Sequence, residues 1–262
     1  MPPTVVSNYE GYSLLTTLCS GIHFYEGTAP AMDSAMPFEA IAAKAISLGA
    51  SLAGVTPVAT LLDSPSHRRH PVKRCARDAS SVLVLALAHP DGLPEMDWWD
   101  NRQGRTPGNR RLININHRLT AWLREVHATE AQELPYHAIH RGVFLKDAAI
   151  LAGLGVMGKN NLLITPQYGP RVRLRALLLD RSLESTGPLD GFTPCDECDG
   201  ACTRACPWEA LHGGSYQRER CWQQMEKDET DPVALRPPFV GMPARHVIPY
   251  CRRCELACPV GQ

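Results

Sequence analysis

The 262-residue sequence lacks several features that would assign it to a class at once. It contains no run of about 18 apolar residues, so no transmembrane helix is predicted. Its first residues show neither a basic region followed by an apolar core nor a twin arginine, which predicts a cytoplasmic protein. Basic and acidic residues balance at 27 each, so no global charge attracts nucleic acid or an anionic membrane. We therefore expect no stable binding to nucleic acid and no membrane association.

Cysteine, by contrast, is abundant and concentrated towards the end of the sequence. Four cysteines fall within twelve residues in the order C-x2-C-x3-C-x3-C-P, and a second run reads C-x2-C-x3-C-P. A single further cysteine lies between the two runs. The eight residues are Cys195, Cys198, Cys202, Cys206, Cys221, Cys251, Cys254 and Cys258. Their number and spacing predict two sites of four thiolates each.

The two runs are typical of proteins that bind two [4Fe–4S] clusters. The bacterial ferredoxin run is C-x2-C-x2-C-x3-C-P, and its fourth cysteine ligates the other cluster in two-cluster proteins. The first run here is one residue longer, and the second lacks an internal cysteine that Cys221 can replace. With the same crossing, Cys195, Cys198 and Cys202 take Cys258, whereas Cys221, Cys251 and Cys254 take Cys206. We therefore predict two [4Fe–4S] clusters in a ferredoxin-like domain at 191–262.

Zinc and disulfide bonds are the alternatives for these cysteines. Zinc sites use C-x2-C pairs in tetrahedral geometry, but two runs that both end in Cys-Pro fit clusters better. Disulfides suit secreted chains, and nothing in this sequence marks it as secreted. Cys19 and Cys75 have no partner at ligand spacing, so they are predicted to bind nothing.

The sequence before the cysteine runs predicts a layered α/β domain at 36–190, which makes the whole chain α+β. Apolar residues at helical spacing predict a helix that begins at Pro37 and ends at Gly49. The segment 81–88 is apolar on both faces, so it is predicted as a central strand. Such a sequence of elements is typical of layered domains. The other predictions are an arm at 1–35, a strand at 51–55, a loop at 91–108, a helix from about Arg110, a strand at 136–140, a helix at 144–152, and a hairpin of 162–165 with 172–180.

A glycine-rich segment is the first candidate for a cofactor site. Gly155 and Gly158 permit close approach of another backbone or a ligand, and Lys159 and Asn160 follow directly. The segment does not have the strand–turn–helix order of a dinucleotide fingerprint. A helix cap followed by a tight turn therefore remains an equal alternative.

An arginine stripe on the following strand is the second candidate. Arg171, Arg173 and Arg175 alternate with apolar residues, which places three guanidinium groups on one face of the strand. Such a stripe lines an anionic cofactor pocket or forms a solvated face, and the sequence leaves both open.

Several of these segments together resemble the epoxyqueuosine reductases. The resemblance rests on Ala152-Gly-Leu-Gly-Val-Met-Gly-Lys-Asn-Asn-Leu-Leu-Ile, on the Leu179-Asp180 end of the predicted hairpin, and on the two cysteine runs with Cys221. It covers roughly residues 38–262. It implies two [4Fe–4S] clusters and a cobalamin, held in an α/β domain related to nitroreductase-like and cobalamin-processing proteins. Corrinoid-dependent reductive dehalogenases share the same core.

The resemblance implies an iron–sulfur oxidoreductase that passes electrons through two clusters to a cobalamin-type cofactor and an unidentified substrate. Gly155 and Gly158 would admit the macrocycle, while Lys159, Asn160, Arg171 and Arg173 would contact the cofactor and the phosphate of its tail. A ferredoxin or flavodoxin is the expected electron donor, and flavin is the weaker alternative cofactor. The alternative function is an electron-transfer or corrinoid-activating protein without a small substrate of its own.

Two departures from the family pattern bear on the substrate. The family places an Asp-Tyr-His motif before the helix near Arg110, where this sequence has Pro107-Gly108-Asn109. The family's C-terminal tRNA-binding extension is also missing, so we expect no action on tRNA by this chain alone. The catalytic residue is left unknown, with Asp97, Asp100 and His140 as open candidates for a proton donor.

Overall fold

The computed structural model describes residues 37–70, 79–136, 142–235 and 244–262. The predicted arm at 1–35, both isolated cysteines and His140 lie outside these residues. Residues 36–262 group into one compact unit by their contacts, and the predicted boundary at 190/191 within it stays a prediction.

A four-stranded antiparallel sheet forms the centre of this unit. It consists of β1 (Leu52–Pro57), β2 (Ser81–Ala88), β4 (Ala131–Glu133) and β7 (Val172–Leu179), in the order β1-β2-β7-β4. Strand β2 pairs with β7 along its whole length, with Val84 opposite Ala176. All but the last residue of β2 are buried, which confirms the prediction of a central strand.

Helices cover both faces of this sheet because its strands are apolar on both sides. On one face, α1 (Phe38–Ser47) and α4 (Pro107–His127) pack against Leu83, Leu85 and Leu177. On the other face, α2 (Val58–Leu62) and α5 (Leu145–Leu151) pack against Val82, Val84 and Ala176, and α3 (Pro65–Arg69) follows α2. The prediction of a layered α/β arrangement is thus confirmed as a mixed fold built on antiparallel strands.

The start of α4 shows how the local sequence sets a helix boundary. Pro107 occupies the first helical turn, where its missing N–H costs no hydrogen bond. The Thr106 hydroxyl accepts a hydrogen bond of 3.1 Å from the backbone N–H of Asn109 and so caps the helix. The predicted helix α1 is also confirmed. It ends just before Gly49, which adopts a φ of 106°.

The predicted hairpin of 162–165 with 172–180 is wrong. Strand β6 (Leu163–Ile164) pairs with β5 (Val156–Met157) instead, while β7 pairs with β2 and β4. The physical reason is that β7 is long and all but one of its residues are buried, so it enters the central sheet. The predicted strand at 136–140 stays a prediction, because 137–141 lie outside the described residues; β4 lies just before it in the chain.

A second sheet joins a strand from the predicted loop at 91–108 to two strands in the part of the chain that carries the cysteines. It contains β3 (Trp99–Asp100), β8 (Val233–Leu235) and β9 (Arg245–Ile248), in the order β3-β9-β8. Strand β3 comes from the predicted loop at 91–108, so this loop pairs directly with the cysteine-bearing region. The described residues of that region also form α6 (Ala201–Ala205), α7 (Arg218–Glu229) and α8 (Arg253–Leu256).

Helix length and hydropathy bear on membrane insertion. Across the described ranges, we find no helix with the length and apolar character needed to cross a bilayer.

Candidate functional site

Four of the predicted ligand cysteines line one cleft. Cys195, Cys198 and Cys202 of the first run meet Cys258 of the second run there. Helix α6 carries Cys202 at its second position and buries it, and Gly200 precedes the helix with a φ of 79°. The loop can therefore turn sharply enough to bring three thiols of one run around a common centre.

The pKa values of these thiols reflect their proximity. Burial raises the pKa of Cys202, and the neighbouring thiols of Cys198 and Cys195 raise it further. Burial also raises the pKa of Cys258. The nearby thiols of Cys202 and Cys195 raise this pKa further, whereas the charge of Arg171 lowers it. The first run and the second run thus share one group of four sulfur atoms.

A second group combines the other four cysteines. Burial raises the pKa of Cys254 to about 12, with further contributions from the thiols of Cys251, Cys206 and Cys221. Cys221 lies in the first turn of α7, so this helix supplies the thiol that the second run lacks. Cys206 therefore lies with the second run although it belongs to the first.

The grouping of the thiols follows the predicted crossing, and all eight cysteines are free of disulfide bonds. Within the four described ranges, no three His, Cys, Asp or Glu side chains are arranged to hold a single metal ion. A [4Fe–4S] cluster, however, spreads its four thiolates around a cube rather than one atom. A set of four thiols around a cleft fits such a cluster, and the assignment of the ligands stays a prediction.

The Gly-Lys-Asn segment borders the first group of thiols. Lys159 and Asn160 both line the cleft, and the backbone N–H of Lys159 donates to Cys195 Sγ at 3.5 Å. Asn160 is buried, and its side-chain amide donates to the carbonyl oxygen of Cys254 at 3.4 Å. The segment therefore lies between the two groups of thiols, and the Lys159 side chain is exposed at the edge of the cleft.

The two glycines of this segment have a packing role inside the protein. A Cβ on Gly155 would lie 2.2 Å from the carbonyl oxygen of Ile164, and one on Gly158 would lie 2.6 Å from Ile164 Cγ1. Both glycines are needed because β6 folds back on them. Close approach was correctly predicted, but it is made by the chain's own strand, which removes the argument for a macrocycle at these atoms.

The three predicted arginines all have partners within the protein. Arg171 is buried and contacts Asp91 and the segment after Cys258, while Arg173 lies between Asp97 and Glu255 at 2.8 and 2.9 Å.

Arg175 donates to Asn109 Oδ1 at 2.6 Å and lies over the Tyr136 ring. The stripe is thus neither solvated nor free for an anion. Its guanidinium groups contact acidic, amide and carbonyl groups that the fold brings to them from distant parts of the sequence.

The two described candidates for a proton donor are both engaged in ion pairs. Burial alone would raise the pKa of Asp97, but the hydrogen bond to His89 and the charges of Arg173 and Arg252 lower it on balance. Asp100 Oδ2 lies 2.8 Å from Arg245 Nη2, and Asp100 Oδ1 accepts backbone hydrogen bonds from the turn that follows. Asp97 and Asp100 are therefore better explained as structural carboxylates than as proton donors.

Sequence reasoning missed a buried pair formed by His89 and Asp97. Nδ1 of His89 lies 2.7 Å from Asp97 Oδ1, and the imidazole is fully buried. Among the described residues, His89 Nε2 has no hydrogen-bond partner. A Cβ on Gly108 would lie 2.3 Å from this nitrogen, so glycine in the first turn of α4 makes room for the ring. The only signal in the sequence was a histidine directly after the buried strand.

A second missed cluster resembles a catalytic triad but has the wrong hydrogen-bond directions. The backbone N–H of Phe144 donates to His67 Nε2 at 3.3 Å, which leaves Nδ1 to donate to Ser64 Oγ at 2.9 Å. The Ser64 hydroxyl in turn donates to Asp147 Oδ2 at 3.0 Å. Burial lowers the pKa of His67, which keeps the ring neutral. This chain of bonds ties α3 to α5 and does not activate the serine.

Comparison with curated proteins finds relatives with a common name. The chain is 28% identical over 194 residues to an epoxyqueuosine reductase of Lactococcus garvieae, covering 71% of this chain and 53% of that protein. It is 30% identical over 195 residues to an epoxyqueuosine reductase of Listeria monocytogenes, covering 70% and 48% respectively. The chain thus spans about half the length of the curated relatives that it matches. No protein-family model matches the sequence.

Solved structures give the same result for the fold. Epoxyqueuosine reductase from Streptococcus thermophilus superposes with a TM-score of 0.60 at 20% identity, over 86% of this chain and 66% of that one. A catabolic reductive dehalogenase gives a TM-score of 0.61 at 19% identity, over 86% and 32%. Another reductive dehalogenase, whose structure suggests a mechanism for B12-dependent dehalogenation, gives 0.55 at 20% identity, over 77% and 31%. The TM-scores establish a shared fold.

Proposed function

Because the chain is a relative of the epoxyqueuosine reductases, we propose that it is an iron–sulfur oxidoreductase that uses two [4Fe–4S] clusters and a cobalamin-type cofactor. Its relationship to epoxyqueuosine reductases and reductive dehalogenases supports an oxidoreductase. The observation that carries the proposal is the crossed grouping of eight thiols into two sets of four.

In this proposal each cluster has its own set of protein ligands. Cys195, Cys198, Cys202 and Cys258 hold the first cluster, and Cys206, Cys221, Cys251 and Cys254 hold the second. The burial of Cys202 and Cys254 disfavours their charged forms without a metal partner, because burial raises the pKa of each thiol. Binding of iron offsets this cost, since a coordinating thiol is deprotonated by the metal.

The organic cofactor is assigned to the same side of the molecule as the first cluster. When bound, a cobalamin supplies the reductive chemistry at its metal, and the protein supplies binding, orientation and electrostatics. The exposed ammonium group of Lys159 places a positive charge at the edge of the cleft, which favours a ligand that carries a phosphate. Asn160 lines the same cleft, is buried, and donates a hydrogen bond to the carbonyl oxygen of Cys254.

An electron-transfer or corrinoid-activating protein without a small substrate is the second candidate. It is favoured by the start of α4, where Pro107-Gly108-Asn109 take the positions that we aligned with the family's Asp-Tyr-His motif. None of these three side chains is an acid, and the Asn109 side-chain oxygen accepts a hydrogen bond from Arg175. A ferredoxin or flavodoxin is the proposed electron donor under either function, and stable binding to nucleic acid or membranes forms no part of the proposal.

Metal analysis of anaerobically purified protein tests the cluster part of the proposal. Two cubes require about eight iron and eight sulfide per chain. A preparation that takes up about one zinc and no sulfide after reconstitution would instead identify a tetrahedral zinc protein.

Titration with cob(II)alamin, followed by EPR, tests the cofactor part. We expect saturable binding with a base-off signal, and weaker binding for Lys159→Gln than for the control Lys227→Gln, which removes an exposed charge from α7. An unchanged signal of free cobalamin at high protein concentration would leave the electron-transfer candidate.

A further inference from the structure

Arg171 joins the central sheet to the segment that carries the crossing ligand Cys258. It precedes β7, is only 5% exposed, and donates from Nη2 to the carbonyl oxygens of Cys258 at 2.8 Å and Leu256 at 3.3 Å. Its Nη1 donates to the carbonyl oxygen of Val260 at 2.9 Å. One side chain thus holds the backbone on both sides of a single thiol.

The backbone around this contact has no spare room. A Cβ on Gly169 would lie 2.0 Å from the carbonyl oxygen of Val260, and one on Gly261 would lie 2.3 Å from the backbone nitrogen of Gly169. Both glycines have positive φ angles, 53° and 74°. The turn before Arg171 therefore docks directly on the segment after Cys258, which fixes the distance between the guanidinium group and the first group of thiols.

The charge of Arg171 is less compensated than that of its neighbour on the strand. Its single acidic contact in the described ranges is Asp91, at 3.0 Å, and the Asp91 side chain is 53% exposed. Arg173, by contrast, lies between the carboxylates of Asp97 and Glu255, which are both nearly buried. A carboxylate in water is screened, so it neutralises a buried cation only in part. The positive charge of Arg171 is therefore only partly compensated next to the segment of Cys258.

On the basis of the proposed function, we propose that Arg171 is a positioning residue for Cys258 and raises the reduction potential of the first cluster relative to the second. Reduction adds one electron to a cluster, and a fixed positive charge nearby stabilises the reduced form. Net charge, hydrogen bonding and burial are the protein's main means of setting such potentials. If Arg171 had only a structural role, its replacement would change the stability of the fold. The direction in which the potential of the first cluster shifts would then not follow the change in charge.

EPR-monitored redox titration of the cluster-loaded protein tests this assignment. The signals of the two clusters are first identified by their loss in Cys258→Ser and in Cys254→Ser. For Arg171→Gln we expect the reduction potential of the first cluster to fall by about 59 mV, which is a tenfold change in its oxidised-to-reduced ratio for one electron. The reduction potential of the second cluster should stay the same.

Two further variants separate charge from structure. Asp91→Asn removes the exposed carboxylate and keeps Arg171, so the potential of the first cluster should rise, by less than Arg171→Gln lowers it. Arg204→Gln is the matched control, because Arg204 lies between two ligand cysteines but is 61% exposed and paired with Asp199. It should leave both potentials unchanged.

The outcomes distinguish this inference from the proposed function. Suppose that the unsubstituted protein carries clusters, but that both potentials stay fixed, or shift together, in Arg171→Gln and Asp91→Asn. The assignment of Arg171 is then overturned, while the proposed function stands. If Arg171→Gln cannot be loaded with clusters, Asp91→Asn provides the test. A rise in the potential of its first cluster supports the assignment of Arg171, and a fall or no change overturns it. Absence of clusters from the unsubstituted protein would overturn the proposed function and this assignment with it.

Discussion

Replacement of Asp97 by asparagine removes one buried charge from a network of five side chains. Asp97 lies 2.7 Å from His89, 2.8 Å from Arg173 and 2.7 Å from Arg252, and its side chain is 8% exposed. The remaining member is Glu255, which also contacts both arginines. Asp97→Asn nearly keeps the volume of the side chain, removes the charge, and replaces one acceptor oxygen with an NH2 donor.

The expected loss of stability follows from the burial of the partners. Removing one member of a buried ion pair typically costs about 3–5 kcal/mol, because the other charge is left uncompensated. Arg173 is 28% exposed and Glu255 can still pair with both arginines, so we expect the lower end of this range. For a domain of this size, about 3 kcal/mol lowers the midpoint of thermal unfolding by roughly 6–12 °C.

The contribution of Asp97 also has a defined dependence on pH. Its pKa is lower in the folded protein than the usual value of 3.8. The stabilisation is therefore fully present above the unfolded pKa and is lost as the pH falls through the folded pKa. The difference between the unsubstituted protein and Asp97→Asn should thus be constant around neutral pH.

Thermal unfolding of the anaerobic, cluster-loaded protein at neutral pH measures this effect. The control is Asp63→Asn, since Asp63 pairs with Arg68 at 3.5 Å on the surface and its side chain is 79% exposed. This control should not change the midpoint measurably. Equal midpoints for Asp97→Asn and Asp63→Asn would refute the view that the network stabilises the fold.

Three further predictions concern other parts of the chain. Gly155→Ala should destabilise the protein by about 1–3 kcal/mol, because its Cβ would meet Ile164. The control Gly92→Ala should not, because a Cβ there has no other atom within 4 Å, and equal unfolding midpoints of the two variants would contradict this prediction. A gel-shift assay should detect no tight, salt-sensitive binding of tRNA, and such binding would refute our expectation. Cys19→Ser and Cys75→Ser should leave the iron content unchanged, and a loss of iron would show that the ligand set is incomplete.

The elements that were predicted correctly are those whose signals are local. Helix α1 has an apolar face and a terminating glycine, and β2 has a continuous apolar run, so short windows of sequence were sufficient. The crossing of Cys206 and Cys258 was predicted from the Cys-Pro endings of the two runs, and the assignment of these cysteines as ligands stays a prediction.

The features that were not predicted depend on contacts between distant residues. Arg171 meets Asp91 80 positions earlier, and Arg173 meets Glu255 82 positions later. No local pattern can state which of several acids will face a given arginine. The wrong hairpin has a similar cause, because β7 pairs with β2 from a distant part of the sequence and leaves β6 to pair with β5.

The central claim is that each cysteine run contributes to both clusters, and the iron content of two double variants tests it most directly. In the crossed arrangement, Cys206→Ser with Cys254→Ser removes two ligands of one cluster, so about four of eight iron atoms should remain. Cys202→Ser with Cys206→Ser removes one ligand from each cluster, so both clusters should be depleted. The account is contradicted if the second variant keeps half of its iron while the first loses nearly all of it, because each run would then hold a cluster of its own.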